Sequence, residues 1–139
     1  MIRGIPLNRS YTKQEVDNKL GTVAVEYVID GGGSAITTGV KGYLEIPFAM
    51  TITGWVLLAD QTGSIVVDVW KKSYASFPPS GSDSIAGSDL PTLSSAQKNQ
   101  NLALTSWNTA VTPGDILAFN VNSAATITRV TLSLIGVKV

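Results

Sequence analysis

The 139-residue chain contains no histidine and no cysteine. Without them a Ser-His-Asp triad, a thiolate nucleophile, a disulfide framework and the usual His/Cys zinc site cannot be built. Charge is also scarce: Asp, Glu, Lys and Arg make up 14% of the residues, ten basic against ten acidic, for a formal net charge of zero. With no field and no Lys/Arg-rich run, nucleic acid is not an expected partner. No apolar stretch approaches transmembrane length, so membrane insertion is not expected either. The start, Met1-Ile2-Arg3-Gly4-Ile5-Pro6, lacks the apolar core of a secretion signal.

One hydrolytic route survives these absences, a pair of carboxylates. Asp60 and Asp68 flank a predicted hairpin and are the pair most able to face each other. Asp60 and Asp115, however, read as turn residues, and Asp68 as a strand residue on a solvent or interface face. No catalytic residue, cofactor or metal is therefore expected. Gly31-Gly32-Gly33-Ser34 opens no helix and lacks the following Lys-Ser/Thr, so it reads as a hairpin tip and not a phosphate loop.

Apolar residues account for 44% of the sequence, enough for the core of one domain. So few charges imply that some apolar surface is covered by a partner or by sister copies. Residues 1–9 read as an extended arm, with Pro6 and Arg9 against regular structure. At 10–21 a short helical stem is predicted. Thr12 as N-cap and Glu15 three residues on form a capping box. Tyr11 and Val16 have the spacing of a hydrophobic staple, and Gly21 is the stop. Val16 and Leu20 lie on one face of a helix too short to be stable alone. That face either packs on its own domain or joins three copies around an axis.

From Thr22 the period changes to two. Val23, Val25, Tyr27 and Ile29 alternate with Ala24, Glu26 and Val28. Leu44, Ile46 and Phe48 surround Pro47, which suits an edge strand or a strand end. Thr51–Ala59 reads as a buried strand, Gln61-Thr62-Gly63-Ser64 as a hairpin turn, and Ile65–Trp70 as the returning strand. Ser73 to Asn101 reads as a long irregular connection, draped over the sheet or functional. Thr112-Pro113-Gly114-Asp115 fits a type II turn, followed by strands carrying Leu117, Phe119 and Val121, then Val130, Leu132 and Leu134. The expected fold is all-β: an antiparallel, jelly-roll-like β-sandwich over residues 22–139 with a short N-terminal helical stem.

The aromatics are the remaining candidates for recognition. Trp55, in a very apolar strand, reads as core or subunit interface. Trp70, Tyr74, Phe77 and Trp107, beside the long connection or at a loop edge, are the candidate surface contacts. Trp55, Trp70 and Trp107, with Tyr43 and Tyr74, read as a platform on which the apolar faces of sugars stack, although each ring can equally pack on the sheet or on a neighbouring copy.

Two segments carry a family resemblance. Tyr11-Thr12-Lys13-Gln14-Glu15-Val16-Asp17-Asn18-Lys19-Leu20 resembles the short stem element of trimeric bacteriophage fibre proteins. Ile52-Thr53-Gly54-Trp55, Gly63 to Lys71, Phe77-Pro78-Pro79, Asp83-Ser84-Ile85, Pro91 to Lys98, Trp107 and Gly114 to Val121 resemble a phage fibre knob module. The resemblance implies a virion protein, assembled in the host cytoplasm. It would be homotrimeric through Tyr11, Val16 and Leu20, with loops that contact host surface polysaccharide. With Met1 only about ten residues before the stem, a short spike or head fibre is expected over a long tail fibre. The arm at residues 1–9 would then dock on a capsid or tail protein through Ile2, Ile5 and Leu7. A capsid decoration protein with no ligand, and a free carbohydrate-binding module, are the alternatives.

Overall fold

The computed structural model describes residues 10–139, without the side chains of residues 17–20. The anchoring arm with Ile2, Ile5 and Leu7 lies outside the described residues, as does the side chain of Leu20.

Helix α1 spans Lys13–Leu20 and begins as its sequence dictates. The Glu15 N–H donates to Thr12 Oγ1 at 3.1 Å, and the Thr12 N–H donates back to Glu15 Oε1 at 3.3 Å, so two otherwise orphaned donors are satisfied. Gly21 takes a φ of +66°, which ends the helix at a conformation other residues resist. Tyr11 and Val16 both stay exposed.

All remaining regular structure is β apart from two single 3-10 turns. The seven strands are β1 (Thr22–Asp30), β2 (Gly39–Ile46), β3 (Met50–Ser73), β4 (Thr92–Asn101), β5 (Ala110–Val111), β6 (Asp115–Ala125) and β7 (Arg129–Lys138). Every pairing is antiparallel. They form one curled sheet in the order β1-β7-β3-β6-β2, with β4 and β5 also paired to β3. The result is an all-β, sandwich-like fold.

Strand β3 does not reverse where the hairpin turn is predicted. It continues for 24 residues through Gln61-Thr62-Gly63-Ser64. Its first half pairs with β7 and its second half with β6, while β4 follows it along the opposite edge. Polar turn residues here mark a corner between two layers and not a chain reversal. Gly63 sits in that corner, where a Cβ would lie 2.7 Å from the Ala125 carbonyl oxygen. Asp60 and Asp68 are consequently on one extended strand and do not face each other. Asp60 instead accepts the Thr128 and Arg129 N–H groups at 3.3 and 3.1 Å, tying the β6–β7 turn to β3.

One layer therefore holds β1, β7 and the first half of β3; the other holds β2, β6 and its second half. Phe119, Leu117, Val67, Leu57, Leu132 and Leu134 fill the space between them, each essentially free of solvent. Tyr27 on β1 stacks against Phe119 on β6 at a centroid distance of 4.5 Å and 6° between planes. The Tyr27 hydroxyl donates to the Lys41 carbonyl at 2.9 Å. A Cβ at residue 42 would fall 1.8 Å from that hydroxyl, so only glycine fits there. Pro47 directly follows edge strand β2, as its missing N–H requires. Gly114 has a φ of +91° and Asp115 N–H donates to Thr112 O at 3.1 Å, the geometry the Pro-Gly turn demands.

The predicted irregular connection is shorter than its composition implies. Residues 92–101 form strand β4, in which Leu93 alone is fully buried. Ser, Asn, Gln and Lys on a solvated outer strand leave no apolar alternation to read.

Candidate functional site

The second layer presents an outer face built on three strands. Tyr43 on β2 pairs with Ala118 on β6, and Ala118 pairs with Trp70 on β3, so these side chains share one row. Two strand spacings, about 10 Å, separate the aromatic pair. Ala118 is too small to fill the gap, yet it is fully buried. The next rows add Glu45, Ile116 and Lys72 on one side, and Asn120 with Asp68 on the other.

The chain leaving β3 doubles back over this face. Phe77 meets the Tyr43 ring edge-on, with centroids 4.8 Å apart and planes at 71°. Pro79 is buried beneath the segment, and the Phe77–Pro78 peptide is cis. Ser80 and Asp83 cap a single 3-10 turn reciprocally. Asp83 also accepts from Lys72 Nζ at 3.0 Å, which fastens the turn to β3. Ser84 then pairs with Trp70 as an isolated bridge, and its hydroxyl donates to Asp68 Oδ1 at 2.6 Å.

These ties leave four aromatic rings in two states. Tyr74 is 75% exposed, and Phe77 and Tyr43 are each 46% exposed. Trp70 is half-buried: Gly81 lies against its ring, and its indole N–H donates to Asp68 Oδ2 at 3.0 Å. Asp68 is 9% exposed and accepts two hydrogen bonds, so it orients Trp70 and Ser84 in place of facing solvent. Asn122, Ser80 and Ser82 are exposed polar residues near the same face.

Of the four rings singled out by sequence, Trp70 lies in the row of this face and Phe77 packs on Tyr43 there, while Tyr74 stands exposed at the start of the segment that crosses it. Trp107 is not on this face. It is 8% exposed, packs in the core and donates its indole N–H to the Asp89 carbonyl at 2.8 Å. Its flanking Ser106 and Asn108 suggest a loop edge, but the ring itself turns inward; as a surface contact it is corrected to a core residue. Trp55 is likewise core, with its indole N–H on Asp89 Oδ2 at 3.1 Å. Tyr43, a member of the aromatic platform read from sequence, stands in the same row as Trp70. Leu44 and Ile46 fix the inward parity of that strand, which turns Tyr43 outward.

Among the described residues no group of three or more Asp or Glu side chains gathers as a metal site requires. Among the described residues, no helix is long and apolar enough to cross a membrane.

The Asp83 carboxyl is held below its ordinary value of 3.8, first by the Ser80 N–H and then by Lys72. A lowered folded-state pKa contributes stability that is complete above 3.8 and lost as pH falls through the lowered value. Amide exchange across residues 74–84 is therefore expected to accelerate on acidification below that point. In Asp83→Asn the step should vanish and exchange should be fast throughout; an unchanged step in the variant would show that another group controls the segment.

Compared with family models, curated proteins and solved structures, the chain matches none of them.

Proposed function

We propose that the chain is a virion structural protein, a short trimeric bacteriophage fibre or spike whose knob attaches to host surface glycans. The observation that carries this reading is the exposed Tyr43–Phe77 ring pair in the row of half-buried Trp70, fixed on a sheet by a segment with several anchors that also carries exposed Tyr74. Exposed rings are suited to stacking on the apolar face of a sugar. The neighbouring Asn122, Ser80 and Ser82 supply hydroxyl and amide partners for its hydroxyls. The scaffold contributes rigidity, so little ordering entropy is lost on binding. Three such sites on one trimer, repeated over a particle, convert a weak contact into firm attachment. The role is binding without catalysis.

In this reading α1 brings three copies together through Tyr11, Val16 and Leu20. The arm at residues 1–9, with Ile2, Ile5 and Leu7, docks on a capsid or tail protein. The protein resides in the virion after assembly in the host cytoplasm, with no cofactor, nucleic acid or membrane insertion involved.

A glycan array with the recombinant chain tests it. Binding to a subset of polysaccharides is expected. Tyr74→Ala should weaken it about tenfold, equivalent to about 1.4 kcal/mol, with unchanged stability because the ring is mostly exposed. A blank array removes the attachment role and favours a decoration protein whose knob has no ligand.

A further inference from the structure

The opposite outer face of the sandwich also exposes large apolar residues. On β1, β7 and the first half of β3, the residues that point away from the core form cross-strand rows. Val28 pairs with Thr131, Thr131 with Leu58, and Leu58 with Lys98 on β4. The adjacent row runs Glu26, Ser133, Val56, Gln100. Leu58 and Val28 are each 53% exposed, large apolar side chains facing water on the sheet surface. Leu58 borders shallow depressions on both sides, one of about 340 Å³ against Lys98 and Gln100 and another of about 210 Å³ against Arg129 and Thr131.

Charge on these two rows is confined to their ends. Glu26 lies on β1 at one edge, and Lys98 lies on β4 at the other, three strand spacings or about 14 Å away. Neither finds an ion-pair partner among the described residues. Between them lie Ser133, Val56, Thr131 and Leu58, a neutral strip with large side chains on β3 and small ones on β7. Opposite charges at opposite edges of one face suit head-to-tail packing of identical units, in which one edge always meets the other. The stem enters at the same place: α1 ends at Leu20 and β1 begins at Thr22, on the Glu26 edge.

We infer that this face is the contact between copies of the chain, with three sheets turned inward around one axis. Val56, Leu58 and Val28 are buried there, and Glu26 of each copy meets Lys98 of the next. The inference rests on the trimeric part of the reading above and is independent of glycan binding, which uses the other face.

Light scattering with the full chain tests it. Leu58→Asp changes a half-exposed residue, so folding, read by circular dichroism, should be unaffected. The assembled mass should fall about threefold at micromolar concentration. Glu26→Lys should raise the dissociation constant at least tenfold, and adding Lys98→Glu should recover most of that loss. Zero-length carbodiimide coupling of the unaltered chain should yield a Glu26–Lys98 cross-link between subunits. A trimer that survives Leu58→Asp overturns the proposal while leaving stem-driven assembly standing. A wild-type chain that remains single overturns both, and a charge swap that rescues nothing rejects the Glu26–Lys98 pairing. Glycan binding by the monomeric Leu58→Asp variant should persist with reduced avidity, so that a failure of attachment is read separately.

Discussion

Replacing Asp89 with alanine is expected to lower the stability of the fold by about 2–4 kcal/mol, through one buried and one half-buried donor left without partners. The Asp89 carboxylate accepts the Trp55 indole N–H at 3.1 Å and the Asn101 amide at 2.6 Å. Trp55 is almost fully buried on β3, so its N–H cannot turn to water. Asn101 is the last residue of β4. One side chain thus pins the loop before β4 to the far end of the same strand and to the core. For a domain of this size the melting temperature should fall by roughly 3 °C per kcal/mol, or about 6–12 °C. Trp55→Phe removes the indole donor along with its requirement. In that background the cost of Asp89→Ala should shrink by about 1 kcal/mol or more, a coupling that a thermal-melt double-mutant cycle measures. Purely additive losses would mean that the Trp55–Asp89 hydrogen bond contributes nothing.

Gly42→Ala is expected to be comparably damaging, at about 3 kcal/mol, for a steric reason. The new methyl would overlap the Tyr27 hydroxyl, and the ring behind that hydroxyl is stacked on Phe119. Tyr27 has nowhere to retreat without giving up the stack and its hydrogen bond to Lys41. Tyr27→Phe deletes the clashing oxygen. It should cost about 1 kcal/mol alone, yet restore part of the loss in the Gly42→Ala chain. Urea midpoints of the four proteins decide the matter, and a double variant weaker than either single change would contradict this account.

The sequence made the inward-facing residues of β1, β6 and β7 legible, because strict alternation of Val, Leu, Ile and Phe admits only one buried face. The start and stop of α1 and the Pro113-Gly114 turn were legible for the same local reason: a cap or a positive φ requires particular residue types. Two features were not. Gln61-Thr62-Gly63-Ser64 satisfies the residue preferences of a hairpin, but a bend between packed layers draws on the same residues, and only the pairing of β3 with both β7 and β6 distinguishes them. Strand β4 is held by partners distant in sequence and carries one fully buried side chain, so no pattern within it announces a strand.

The candidate site was half legible. Trp70 and Phe77 are close in sequence, and their placement on one face was foreseeable. Whether a ring faces out or in depends on hydrogen-bond partners elsewhere. Trp107 and Trp55 converge on Asp89, while Trp70 takes Asp68. A sequence shows three tryptophans and ten acidic residues; it does not show which acid each indole will choose.

The uninterrupted course of β3 has a thermodynamic consequence. Each layer borrows half of one covalent strand, so neither owns a complete set of neighbours once the other is lost. Melting should therefore proceed as a single cooperative event, with calorimetric and van't Hoff enthalpies in agreement, and a partly opened knob should not accumulate on the way.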